Sequence, residues 1–149
     1  MMKLLIEFIV SFLSTVGFGI ITNVPRRALL PAGIAGSISW ICYYLLIGNG
    51  THIFLPNFVA AVVIGVLGNI GAVLRKVPVN TIYVPSLVSL VPGAIIFLGM
   101  KNFTSGNTGI AQQEFLNTVL IALALALGFL CSEAVAKPIR AKIQELNRS

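Results

Sequence analysis

Five times along its 149 residues the sequence runs for roughly a membrane's thickness with almost no charge. The runs are Leu4–Thr22, Ala28–Ile47, Phe58–Leu74, Thr81–Met100 and Phe115–Ala136. Each approaches the ~20 residues a helix needs to cross ~30 Å of hydrocarbon. Phe58–Leu74, the shortest, is expected to cross with little tilt or to end among the headgroups. Composition points the same way. The chain is 57% hydrophobic and 9% charged, whereas a soluble domain carries ~25% charged residues. The expected fold is an all-α integral membrane protein: one bundle of about five transmembrane helices over residues 1–136, then a basic cytoplasmic tail, 137–149. The first run is too long for the apolar region of a signal peptide and is expected to be retained.

Charge sets the orientation. Arg26 and Arg27 lie between the first two runs, Arg75 and Lys76 between the third and fourth, and Lys137, Arg140, Lys142 and Arg148 after the fifth. With five crossings all eight fall on one face, which the positive-inside rule makes cytoplasmic. That places the N-terminus outside and the C-terminus inside. The net charge of +6 is then a topology signal and an attraction to anionic lipid; no basic domain exists to bind nucleic acid.

Catalytic chemistry is hard to assemble from these residues. The chain has one histidine, His52, in a predicted outer loop, and no aspartate. Neither a metalloprotease, a serine-hydrolase nor a phosphate-loop motif occurs. Cys42 and Cys131 fall inside predicted spans without metal-ligand or redox spacing. No enzyme activity, cofactor or metal is expected. Asn49–Thr51 and Asn102–Thr104 match glycosylation triplets, which are frequent by chance.

Small and polar residues within the spans say more. Gly65, Gly68 and Gly71 recur every third residue, a groove that admits a neighbouring helix closely, in this chain or another. Glu7, Ser11, Ser14 and Thr22 fall near one stripe of the first span. Asn69 sits among the glycines of the third. Asn80, Thr81, Tyr83, Ser86 and Ser89 lie in the fourth. Polar groups are costly in hydrocarbon and tend to mark function. Glu7 reads either as an interfacial carboxylate or as a proton carrier. Glu133 reads either as a proton carrier or as the partner of Lys137, four residues on. The serines could instead bond their own i−4 carbonyls.

The fourth run holds Pro85 and Pro92 in its interior, with Gly93 next. Proline removes a backbone donor and clashes with the carbonyl four residues back. In lipid such a break is tolerated where the freed backbone packs in protein or lines a cavity. Broken helices of this kind hold substrates in secondary transporters; a kink that merely fits the helix into its bundle is the alternative.

Two stretches, "NVPRRALLPAGIAGSISW" (23–40) and "YVPSLVSLVPGAIIFLGM" (83–100), resemble the threonine/serine exporter family. More closely, the chain is similar to the small, separately encoded membrane subunit that matches the C-terminal half of the fused exporter. The resemblance implies export of threonine and serine, or of a dicarboxylate such as succinate, across a bacterial inner membrane. It also implies an ion or proton gradient as the drive and a larger membrane subunit of the same family as the partner. Beside it stands a reading from the residues. Arg26 and Arg27, just before the second helix, could capture a substrate carboxylate or only anchor the topology. Candidate substrate-binding residues are Arg26, Arg27, Asn69, Ser86, Ser89, Pro92 and Gly93; candidate proton-coupling residues are Glu7 and Glu133. Two other readings stand against a transporter subunit: an accessory assembly protein without a pathway, and a small homo-oligomeric channel.

Overall fold

The computed structural model describes the backbone of residues 2–48 and 50–146, with side chains as far as Pro138. Asn49 and the side chains of Arg140, Lys142 and Arg148 lie outside the described residues. Among the described residues the regular structure is entirely helical: α1 (Met2–Ile21), α2 (Arg26–Gly48), α3 (Phe54–Arg75), α4 (Asn80–Ser86) with a 3-10 extension (Leu87–Ser89), α5 (Gly93–Thr104) and α6 (Thr108–Leu146). Four helices are long and apolar enough to cross a membrane: α1, α2, α3 and the Thr108–Pro138 part of α6. The pair Asn80–Ser89 and Gly93–Thr104, bent by 50°, makes a fifth if counted as one span. The all-α membrane bundle expected from the apolar runs is the fold observed. α6 continues past Ala136, so the basic segment prolongs that helix to Leu146.

The helices at one end of the bundle are joined by a recurring turn. α1 stops at Asn23, whose φ of 54° puts it in the left-handed region. Val24 N–H then bonds Gly19 O at 2.8 Å and Asn23 N–H bonds Ile20 O at 3.1 Å. α3 stops identically at Lys76, φ 53°, with Val77 N–H on Ala72 O at 3.0 Å. These are Schellman caps, which satisfy the last carbonyls of a helix and which proline commonly follows. Here the prolines are Pro25 and Pro78, so Asn-Val-Pro and Lys-Val-Pro are one turn used twice.

Small side chains make the core. Ala28, Ala32, Ala35, Ala60, Ala61 and Ala124 are buried, while most leucines and isoleucines of α1 and α6 point outward. In lipid, apolar bulk gains nothing by turning inward, and helices associate through close backbone approach. α3 is central: half of its apolar window is buried, against 17% for α1.

Contacts give the chain path. Glu7 meets Trp40, and Ser11 meets Gly36, so α1 and α2 are antiparallel. Ser39 bonds Ala60 O and Pro31 lies against Gly71, so α2 and α3 are antiparallel too. Gly128 rests on Ala61 and Ser132 on Gly65; α6 therefore runs parallel to α3. Ser86 bonds Ala32 O and Ser89 bonds Ser11, so α4 climbs beside α1 and α2 from the end where α3 stops. α4 and α5 together bring the chain back to the end where α6 starts.

Candidate functional site

The chain is interrupted where α4 gives way to α5. Pro92 has no N–H to offer the Val88 carbonyl. Gly93 N–H turns to Val91 O at 2.8 Å, which deprives Ser89 O of its helical donor. Two carbonyls thus leave the helical ladder together. On the far side of the break, Ala94 and Ile95 occupy the first turn of α5, where amides have no helical acceptor.

A cleft of about 200 Å³ opens at this point. Its walls include Trp40 and Tyr43 of α2, Asn57 of α3, Ser89 through Pro92, Ala94 and Ile95, and Ile121 of α6. Trp40 and Tyr43 stack with ring centroids 5.2 Å apart. Behind them Trp40 Nε1 donates to Glu7 Oε2 at 2.7 Å. Ser89 and Ser11 hydroxyls share a hydrogen bond at 3.2 Å, and Ser11 Oγ donates to Gly36 O at 3.4 Å. Ser89 is the donor of the pair when Ser11 gives its own proton to Gly36. The break is therefore tied to α1 by a serine pair and faced by an aromatic pair.

The polar stripe of α1 differs from the one expected. Ser11 and Thr15 are buried, whereas Ser14 and Thr22 are exposed. The inward series is Glu7, Ser11 and Thr15, a four-residue spacing that Ser14 breaks. Thr22 bonds its own Phe18 O at 2.8 Å. Thr15 is fully buried, with an Oγ1 that has no partner among the described residues.

The other candidate residues divide among three places. Ser89, Pro92 and Gly93 form the break, and Glu7 reaches it through Trp40. Ser86, one turn below, is buried and donates to both Ala32 O at 3.0 Å and Ile82 O at 2.7 Å; it fastens α4 rather than lining the cleft. Asn69 belongs to a separate knot, where its Nδ2 donates to Gly65 O at 2.8 Å and to the Tyr83 hydroxyl. Tyr83 OH in turn donates to Gly65 O at 3.0 Å. Arg26 and Arg27 are exposed in the first turn of α2, which opens at Arg26 rather than near Ala28. Arg26, with Asn23, Val24 and Pro25, lines a wide depression at the turn, about 21 Å along the helix from Trp40 at 1.5 Å per residue. Glu133 and Lys137 are exposed on α6.

Gly65, Gly68 and Gly71 all meet helices of this same chain. A Cβ on Gly65 would lie 1.8 Å from Ser132 Oγ, one on Gly68 2.6 Å from the Tyr83 ring, and one on Gly71 2.9 Å from Pro31 Cβ. Trp40, Tyr43, Asn57 and Ser132 were not singled out by the sequence patterns. The one available signal was that Trp40 is the chain's single tryptophan and stands on α2 three residues before a tyrosine.

Against known proteins, a family model described as "Threonine/Serine exporter, ThrE" matches residues 7–135. No curated protein and no solved structure matches the chain. The matched segment runs from Glu7 through the proline break to α6 and takes in every residue of the cleft. The chain belongs to the threonine/serine exporter family.

Proposed function

We propose that this chain is a subunit of a secondary transporter that exports threonine and serine, or a dicarboxylate such as succinate, across a bacterial inner membrane. An ion or proton gradient drives it, and a larger membrane subunit of the same family completes it. The observation that carries this reading is the cleft at the interruption between α4 and α5. An open, partly polar hollow beside unpaired main-chain groups suits a substrate path and is costly as mere packing.

The α4–α5 pair is read as one broken span. Its 10 and 12 residues would cover ~15 and ~18 Å at 1.5 Å per residue, together about the hydrocarbon thickness. Charge supports the crossing. With five crossings Arg26, Arg27, Arg75, Lys76 and Lys137 share one face, the cytoplasmic one; with four, Lys137 would lie opposite the rest. The cleft then opens in the outer half of the bilayer and Arg26 at the inner entrance. Glu7, with its carboxylate on the Trp40 indole, is the proton-coupling candidate nearest the cleft.

The test is efflux of labelled threonine, serine and succinate from preloaded cells that express this chain, the partner, both or neither. Gradient-dependent efflux requiring both chains is the expected result. Flux through the purified chain alone, indifferent to the gradient, would instead make it a channel.

A further inference from the structure

We infer that Asn57, with the Trp40–Tyr43 ring pair, forms the pole of the cleft that receives an ammonium group, and that the first turn of α5 supplies its carboxylate pole. The inference rests on the reading of the chain as part of an exporter, and assigns the residues by which its cleft would hold a zwitterion.

Asn57 is the least expected residue in the wall. It is 2% exposed, sits in the first turn of an apolar helix and borders the cleft. Its Nδ2 donates to Ile53 O at 2.7 Å. That bond fixes the carboxamide and leaves Oδ1 as an acceptor with no donor among the described residues. An acceptor without a protein donor at the wall of a cleft is free to bond a ligand, and a cationic N–H donor is its strongest complement. Beside it the stacked faces of Trp40 and Tyr43 attract cations. The Trp40 N–H is given to the Glu7 carboxylate, which adds negative potential to that wall.

The wall at the break carries both kinds of main-chain group, the carbonyls of Val88 and Ser89 before Pro92 and the amides of α5 after it. Ala94 and Ile95 present first-turn amides of α5, a twelve-residue helix, where the macrodipole favours an anion. No arginine or lysine is among the cleft-lining residues. One carboxylate therefore has a place, whereas the second carboxylate of a dicarboxylate would meet an amide oxygen and two ring faces. The volume of about 200 Å³ also lies below the ~300–1,000 Å³ of pockets for drug-sized ligands.

Trp40 is the only tryptophan, so its fluorescence reads the cleft without any transport. The full chain in lipid nanodiscs is titrated with threonine and with β-hydroxybutyrate, which keeps the carboxylate and hydroxyl but has no ammonium. Threonine should give a saturable change and β-hydroxybutyrate a response at least about tenfold weaker. Asn57→Leu should raise the half-saturation for threonine about tenfold and leave that for β-hydroxybutyrate unchanged. Equal responses to the two ligands, no saturable response to threonine, or unaltered threonine binding by Asn57→Leu would each overturn the inference. The ligand comparison needs no variant to fold. Binding without efflux in cells strikes the transporter reading and leaves the ammonium pole; efflux unimpaired by Asn57→Leu strikes the pole and leaves transport.

Discussion

Trp40 of α2 donates its indole N–H to the Glu7 carboxylate of α1 across 2.7 Å. The same indole forms part of the cleft wall at the α4–α5 break. A carboxylate near one end of the first helix is thereby joined mechanically to the place where the chain is interrupted.

Glu7→Gln keeps an acceptor for the indole and loses the charge; Glu7→Ala loses both. Glu7→Gln should retain Trp40 emission close to that of the parent and abolish gradient coupling of efflux. Glu7→Ala should also red-shift the emission as the ring is released, since a hydrogen bond to a charged group contributes about 1.5–3 kcal/mol. Full gradient-driven efflux in Glu7→Gln would remove Glu7 as a proton carrier.

Pro92→Ala returns an N–H to the position facing the Val88 carbonyl. The α4–α5 junction should straighten and helicity rise, with efflux reduced at least about tenfold while the chain still inserts, because proline costs a helix interior about 3 kcal/mol. Circular dichroism and transport on the same preparation check this. Unchanged efflux with increased helicity would make the break a matter of packing.

Gly65→Ala should destabilise the bundle by about 1–3 kcal/mol, the usual cost of overpacking, because the added methyl falls 1.8 Å from Ser132 Oγ and 2.2 Å from its Cβ. Ser132→Gly removes both atoms, so the double variant should recover most of the loss. A thermal-denaturation cycle of the four forms measures the coupling; additive effects would mean that α3 and α6 do not meet here.

Arg26→Gln should leave insertion intact and raise the half-saturation for efflux without lowering the maximal rate, as removal of uniform binding does. Kinetics of substrate-loaded vesicles give the two parameters. An unaltered half-saturation would reduce Arg26 to a topology anchor.

The bundle was legible because hydrocarbon demands long apolar helices, and the run boundaries fell within a few residues of the helix ends except at α6, which starts seven residues earlier than Phe115. The break was legible because Pro92-Gly93 carries its own backbone chemistry. The cleft was not. Trp40, Tyr43, Asn57 and Ile121 come from three helices, and which residues converge depends on how those helices rotate against one another. Their rotation is set by small-residue contacts such as Gly65 on Ser132, whose partner no spacing rule names. The error on α1 has the same origin. Ser14 and Thr15 are adjacent and both polar, and only the packing of Gly36 against Thr15 decides which of them faces inward.

The central claim is that the chain is interrupted within the membrane beside a hollow the substrate enters. Ser89→Cys, with Cys42 and Cys131 replaced by alanine, places a single thiol on that wall. Modification of this thiol in intact membranes by a hydrophilic maleimide, with and without saturating threonine, is the most direct measurement. The account predicts that the thiol reacts and that threonine slows the reaction several-fold. A thiol that the reagent never reaches, or one that reacts at the same rate whatever the substrate concentration, would contradict it.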